Sequence, residues 1–340
     1  MIPLNNESPA VNSGPLTSDA DRLRKLRVRQ RLADSGGVLS IFSFFVTVVL
    51  LFSFTTNTFM SQANLLNVMR QIAPLLIVAV AMTFVITTGG IDLSVGSVLA
   101  VVNVVTAIGL QSGIPWPVMV LTMLLLGAAI GALQGFFIAY EGIPAFIVTL
   151  AGLTSLRGVA LLLTKGYSIP VDPRSVFNVI GRGWILGIPF PALIALCLLF
   201  IGAFVFTNTP FGRYVTGIGS NAESVRRAGI NSRRISLYVY ILSGFAAAAA
   251  GLITVARLGS GSSNAGQGFE LEAIAAVVLG GTSLFGGRGT MIGTILGTMT
   301  VAVIGNGLIL AHLSPFLTPI VEGIIILAAI WLNFRLFKGK

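Results

Sequence analysis

Ten apolar stretches, at about 38–60, 72–89, 94–111, 117–140, 145–164, 188–208, 236–257, 270–285, 289–312 and 315–335, constrain this chain more than any other feature. Most approach the roughly 20 helical residues that cross a hydrocarbon core of about 30 Å. Inside lipid an unpaired backbone amide finds no water, so runs of this composition span as helices. The reading is an all-α polytopic membrane protein with about ten transmembrane helices, organised as one membrane domain over 38–335 between terminal tails at 1–37 and 336–340. The first 37 residues, rich in Pro, Asn, Ser and Gly at their start, are expected to be largely disordered.

Composition agrees with the spans. Hydrophobic residues make up 55% of the 340 positions and charged ones 9%, more apolar than a soluble core requires. The net charge of +10 does not indicate nucleic acid, because 14 of the 21 Lys and Arg fall in three places: the first 37 residues, the segment 209–236 and the C-terminal tail. Basic clusters between apolar runs mark loops kept in the cytoplasm. Ten crossings from a cytoplasmic N-terminus return Arg335, Lys338 and Lys340 to the same side. That alternation puts 165–187 outside although it carries Lys165, Arg174 and Arg182 against Asp172 alone. Either the crossing number is off, or this surface meets an acidic partner.

Several chemistries are excluded. Cys197 stands alone, so neither a disulfide nor a cysteine-based zinc site is available. His312 has no companion ligand in sequence. None of Lys25, Lys165, Lys338 and Lys340 precedes Ser or Thr, so the phosphate-binding loop of ATPases is missing. The 40 glycines, in runs such as Gly127 to Ala132 and Gly244 to Gly251, read first as close helix packing.

Two octets interrupt apolar runs, Gly89-Gly90-Ile91-Asp92-Leu93-Ser94-Val95-Gly96 and Gly280-Gly281-Thr282-Ser283-Leu284-Phe285-Gly286-Gly287. They share Gly-Gly, a fifth-position Leu and a final Gly, which raises an internal repeat of the transporter kind beside chance recurrence. A helix broken at Gly89-Gly90 frees backbone groups that are tolerated at depth where protein or water satisfies them. Asp92 then serves either as the cap of a helix starting near Ser94, the favoured reading, or as a substrate or gating residue. Arg157 sits near the middle of its span, where a charge must face a cavity or find partners; a pore role and a bond to backbone carbonyls are weighed equally. Asn103, Gln134, Thr149, Ser155, Thr300 and Asn306 are polar groups within spans that suit sugar hydroxyls or helix-to-helix hydrogen bonds. Glu270 and Glu272 suit the start of a helix and ask for no further role.

The segment FGRYVTGIGSNAESVRRAGINSRRI (Phe211 to Ile235) is the most specific. Asn221 can cap a helix of about two turns that runs through Ala222, Glu223, Ser224, Arg226 and Arg227 and ends at Gly229 in a left-handed conformation. Its Glu-x5-Gly spacing resembles the EAA loop of ABC importer permeases, with Ser224 and Val225 in place of the two alanines. The flanking blocks resemble the ribose and related monosaccharide permeases. So do ITTGGIDLSVGSVLA (Ile86 to Ala100), IPAFIVTLAGLTSLRGVALLLTKG (Ile143 to Gly166, with Pro144, Phe146, Thr149, Arg157 and Gly158 in place) and ELEAIAAVVLGGTSLFGGRGTMIGTILG (Glu270 to Gly297). The resemblance covers about residues 60–335. Glu322 departs from it, standing where the family often has a basic residue.

The resemblance implies a type II ABC importer-like permease with broken or short helices, in a bacterial inner membrane with both termini cytoplasmic. It implies a homodimer, or a heterodimer with a related chain, driven by ATP-binding subunits that carry the ATP and Mg. A periplasmic sugar-binding protein would deliver the substrate, and this chain would bind no cofactor or metal itself. Residues 221–229 would couple to the ATPase, and Gly89, Gly90, Asp92, Asn103, Gln134, Thr149, Arg157 and Asn306 are candidates for the translocation path. The rival readings are an ion-coupled secondary transporter, which needs midplane groups that change charge where only Arg157 qualifies and does not release its proton, and a membrane enzyme or structural subunit.

Overall fold

The computed structural model describes residues 38–314 and scattered positions from 316 to 331. Helices α1 (Val38–Thr55), α2 (Gln62–Thr87), α3 (Val95–Gln111), α4 (Trp116–Ala139) and α5 (Ala145–Thr164) follow one another across short turns. A longer connection, 165–189, holds strand β1 (Ile169–Pro170), a 3-10 turn (Val176–Asn178), the single-turn α6 (Val179–Arg182) and the hairpin of β2 (Trp184–Ile185) with β3 (Ile188–Pro189). It leads into α7 (Phe190–Asn208), α8 (Pro210–Arg227), α9 (Ser232–Leu258), β4 (Ser260–Gly261), α10 (Phe269–Leu279) and α11 (Met291–Leu310). Strand β1 pairs antiparallel with β4 and so ties the connection to the end of α9.

Seven described helices, α1, α2, α4, α5, α7, α9 and α11, are long and apolar enough to cross a bilayer. Of the other expected crossings, α3 has 17 residues and α10 has 11. At 1.5 Å per residue α10 is only about half as long as a hydrocarbon core is thick. Its apolar run is cut by backbone geometry: Gly268 before it and Gly281 after it take left-handed φ of 78° and 86°. The tenth stretch, 315–335, lies mostly outside the described residues, as do Glu322 and the tails at 1–37 and 336–340. Among the described residues, seven helices are of spanning length and two further apolar ones are shorter, which meets the expectation of about ten spans in part.

Helix α2 also corrects the sequence reading. It starts at Gln62, ten residues before its apolar run, because Ser61 caps it by accepting from the Asn64 amide. Helices α2 and α9 form the centre of the bundle. Met82, Phe84 and Ile86 of α2 and Ala247, Ala250 and Ile253 of α9 are sealed from solvent, and side chains are buried around the whole circumference over 73–87 of α2 and 246–256 of α9. Small residues make this possible. A Cβ on Gly127 of α4 would overlap the Gly244 carbonyl of α9, and one on Gly131 would overlap the Tyr240 carbonyl. Backbones at this separation gain dispersion contacts that lipid cannot replace. Helix α5 lies outermost, with Leu150, Leu161 and Leu162 exposed.

Candidate functional site

The bundle has two distinct ends, one covered by the 165–189 connection and the other carrying α8. At the connection end, α2, α9, α10 and α11 surround a cavity of about 580 Å³. Its floor is apolar, with Pro74, Leu75, Leu99 and Val301, and its upper wall is polar, with Asn67, Arg70, Gln71, Thr254, Arg257, Glu272 and Asn306. This volume and mixture suit a small polar solute. Arg70 lies over the Trp184 ring at 4.8 Å, so the connection holds one of the two cationic side chains. The Nε atoms of Arg70 and Arg257 are buried without a hydrogen-bond partner. On the same side Arg182 Nε donates to the Arg257 carbonyl at 2.9 Å, which ties α6 to the end of α9.

Among the path candidates read from sequence, Asn306 lines this cavity, where its amide makes reciprocal bonds with Asn64 at 2.9 and 3.1 Å. Sequence reading missed Asn67, Arg70, Gln71, Thr254 and Arg257, and gave Glu272 no role. A signal existed for α2: Asn64, Asn67 and Gln71 fall at i, i+3 and i+7, a polar stripe along one helix face. It was lost because that helix was started at 72.

The remaining candidates lie elsewhere. After Thr88 closes α2, Gly89 takes φ of 83° and the chain turns into α3. Asp92, almost fully buried, accepts from the Ser94 amide at 2.9 Å and hydroxyl at 2.7 Å through Oδ1, and from the Ser243 hydroxyl at 2.6 Å through Oδ2. It therefore closes the turn before α3 and fastens it to α9; the cap position itself belongs to Ser94. Gln134 meets the Ser94 hydroxyl at 3.0 Å. One hydroxyl proton cannot serve both Asp92 and Gln134, so the amide must turn its NH2 toward Ser94. The Thr149 hydroxyl lies within hydrogen-bond reach of the carbonyls of Ala145 at 2.9 Å and Ile91 at 3.2 Å, and its one proton serves one of them at a time. A Cβ on Gly90 would overlap the buried Tyr240 hydroxyl, which leaves no room for a side chain at the break.

Two residues hold the segment between α9 and α10. Asn103 Oδ1 accepts from the Ser262 amide at 2.7 Å. Arg157 spreads its fork over three carbonyls, Nη1 donating to Ser263 at 2.6 Å and Ala265 at 2.8 Å and Nη2 to Gly266 at 3.1 Å. Of the two readings weighed for Arg157, the bond to backbone carbonyls is the geometry found. The two glycine octets do not superimpose in register. In the first octet only Gly89 is left-handed, whereas in the second Gly281, Gly286 and Gly287 all are; the helix resumes at Val95 in the first but only at Met291 after the second.

At the opposite end, α8 is two helices joined at Asn221, whose φ of −163° and ψ of 97° are extended. The first part packs Gly212, Val215 and Ile218 against the bundle, where the sequence suggested only loop. The second stands in solvent. Asn221 Oδ1 accepts from the Ser224 amide at 2.9 Å, and Gly229 ends the turn with φ of 81°. Glu223 pairs with both Arg226 and Arg227, and these hydrogen bonds hold its carboxyl below the usual carboxylate range.

Together these features define a polytopic membrane protein with a polar cavity at one end and a short charged helix displayed at the other. Residues 64–330 match the family described as branched-chain amino acid transport system / permease component, and the chain belongs to that family. It is 38% identical to the ribose import permease protein RbsC of Haemophilus influenzae, over 84% of this chain and 89% of the relative. It is 42% identical to the probable ABC transporter permease protein YphD of Escherichia coli, over 84% and 86%. With the xylose transport system permease protein XylH of Escherichia coli it shares 35%, over 85% and 89%. No solved structure matches.

Proposed function

We propose that this chain is the transmembrane permease subunit of an ATP-binding-cassette importer that carries a monosaccharide, ribose-like or related, across a bacterial inner membrane. The observation that carries the reading is similarity over most of the chain to permeases of ribose and xylose import. It favours ATP-driven uptake over ion-coupled transport. The α8 end would face the cytosol, and residues 221–229 would dock on an ATP-binding subunit that holds the ATP and Mg. The connection end would receive substrate from a periplasmic binding protein, and a second permease chain would complete the passage.

The cavity would then form the outer part of that passage. Asn67, Gln71 and Thr254 offer amide and hydroxyl groups to sugar hydroxyls, while the apolar floor lets the solute leave without tight capture. The test is uptake of labelled ribose or xylose into liposomes holding this chain with its ATP-binding and binding-protein partners. ATP-dependent accumulation supports the reading. Accumulation by this chain alone under a proton or sodium gradient would replace it with the ion-coupled alternative.

A further inference from the structure

Besides packing Val215 and Ile218 against the bundle, helix α8 touches it at Gly219 with no side chain in between. A Cβ on Gly219, two residues before the extended Asn221, would overlap both the Thr87 carbonyl oxygen at the end of α2 and the Gly287 amide nitrogen. Those two groups are bonded to each other, Gly287 donating to Thr87 at 2.9 Å. A Cβ on Gly286 would stand 2.9 Å from the Gly89 nitrogen and 3.0 Å from Gly219 Cα. Three segments therefore meet backbone to backbone: the end of α2 with its glycine turn, the turn that leads into α11, and the first part of α8.

Both bundle helices that leave this junction reach the cavity at their other ends. Helix α2 places Arg70 and Gln71 on its wall, and α11 places Asn306 there. Some 17 residues separate Thr87 from Arg70, about 25 Å of continuous helix. A close-packed contact has no slack to absorb a push, and a helix carries displacement along its axis.

Resting on the importer reading above, we infer that Gly219 is the positioning residue through which α8 moves α2 and α11 as one unit, so that a displacement at the ATPase face changes the cavity at the opposite end. The residue contacts no substrate. Its role is to let α8 sit directly on the Thr87–Gly287 bond.

The experiment measures solute taken up per ATP hydrolysed by the full complex in liposomes, together with membrane insertion and co-purification of the ATP-binding subunit. Gly219→Ala should keep insertion, co-purification and hydrolysis while uptake per ATP falls roughly ten-fold. Gly289→Ala approaches the junction more gently, since the atoms nearest its Cβ belong to the side chains of Thr87 and Phe206 rather than to backbone; it should give the same split even if Gly219→Ala fails to assemble. Gly217→Ala, whose Cβ would meet only Val225 at 3.0 Å, should leave the ratio unchanged, which separates the junction from helix propensity. The inference is overturned if uptake per ATP is normal in both junction variants, or if uptake and hydrolysis fall in proportion with loss of the ATP-binding subunit. Absence of ATP-dependent uptake in the wild-type complex would instead sink the importer reading itself.

Discussion

Replacing Arg157 by Ala should loosen the α9–α10 segment rather than empty a pore. Three hydrogen bonds, at 2.6, 2.8 and 3.1 Å, join its guanidinium to the carbonyls of Ser263, Ala265 and Gly266. A bond to a charged donor contributes about 1.5–3 kcal/mol when desolvated. Arg157 is half-buried, so water recovers part of each on removal. Crediting about 1 kcal/mol per bond gives a loss of about 3 kcal/mol, or about a hundred-fold rise in local opening. Hydrogen exchange in nanodiscs reads this directly, because the Ser262 amide is held by Asn103 and the Ala265 amide by the Ser262 carbonyl. Both should exchange about a hundred-fold faster in Arg157→Ala than in the parent. Arg157→Lys should recover part of the protection, since an ammonium lacks the planar fork. Exchange within about three-fold of the parent in Arg157→Ala would refute the assignment of Arg157 as the tether.

Three further outcomes are expected. Ser243→Ala removes a donor at 2.6 Å from the buried Asp92 and should cost about 2 kcal/mol, seen as a lower melting temperature in detergent; an unchanged melting temperature would count against the α3–α9 link. Asn221→Ala should destabilise the short helix by about 1 kcal/mol, and Gly229→Val should cost about 1–2 kcal/mol because φ of 81° disfavours a side chain even where space is open; each should weaken co-purification of the ATP-binding subunit without loss of membrane insertion. Glu223 has a depressed carboxyl, so its contribution to helix order is complete above the ordinary carboxylate range and is lost as pH falls through the lower folded value. A spin label beside residues 222–227 should keep constant mobility down through the ordinary carboxylate range and loosen only below it, whereas Glu223→Gln should show no such transition; loosening above the ordinary carboxylate range would contradict the pairing with Arg226 and Arg227.

Local chemistry made much of this architecture readable. Apolar run length announced membrane helices, and Asn221, Glu223 and Gly229 announced a capped two-turn helix, because a cap, an i,i+4 ion pair and a left-handed stop are all satisfied within residues 221–229. The glycines of α4 and α9 read correctly as packing faces for the same reason: a small residue at helical spacing permits close approach whatever the partner.

Which partners meet was settled by tertiary structure. Asp92 finds Ser243 across 151 positions, Arg157 finds the 263–266 carbonyls across more than 100, and Arg70 finds Trp184 from a different connection. The helix boundaries also moved for reasons outside hydropathy, since α2 could extend through Asn64, which bonds Asn306, and through Asn67, Arg70 and Gln71, which line a cavity. Periodicity and capping are short-range and written along the chain. A cavity, a buried carboxylate's donors and a backbone junction exist only when distant segments share space, so one sequence read residue by residue announces the helices but not the passage between them.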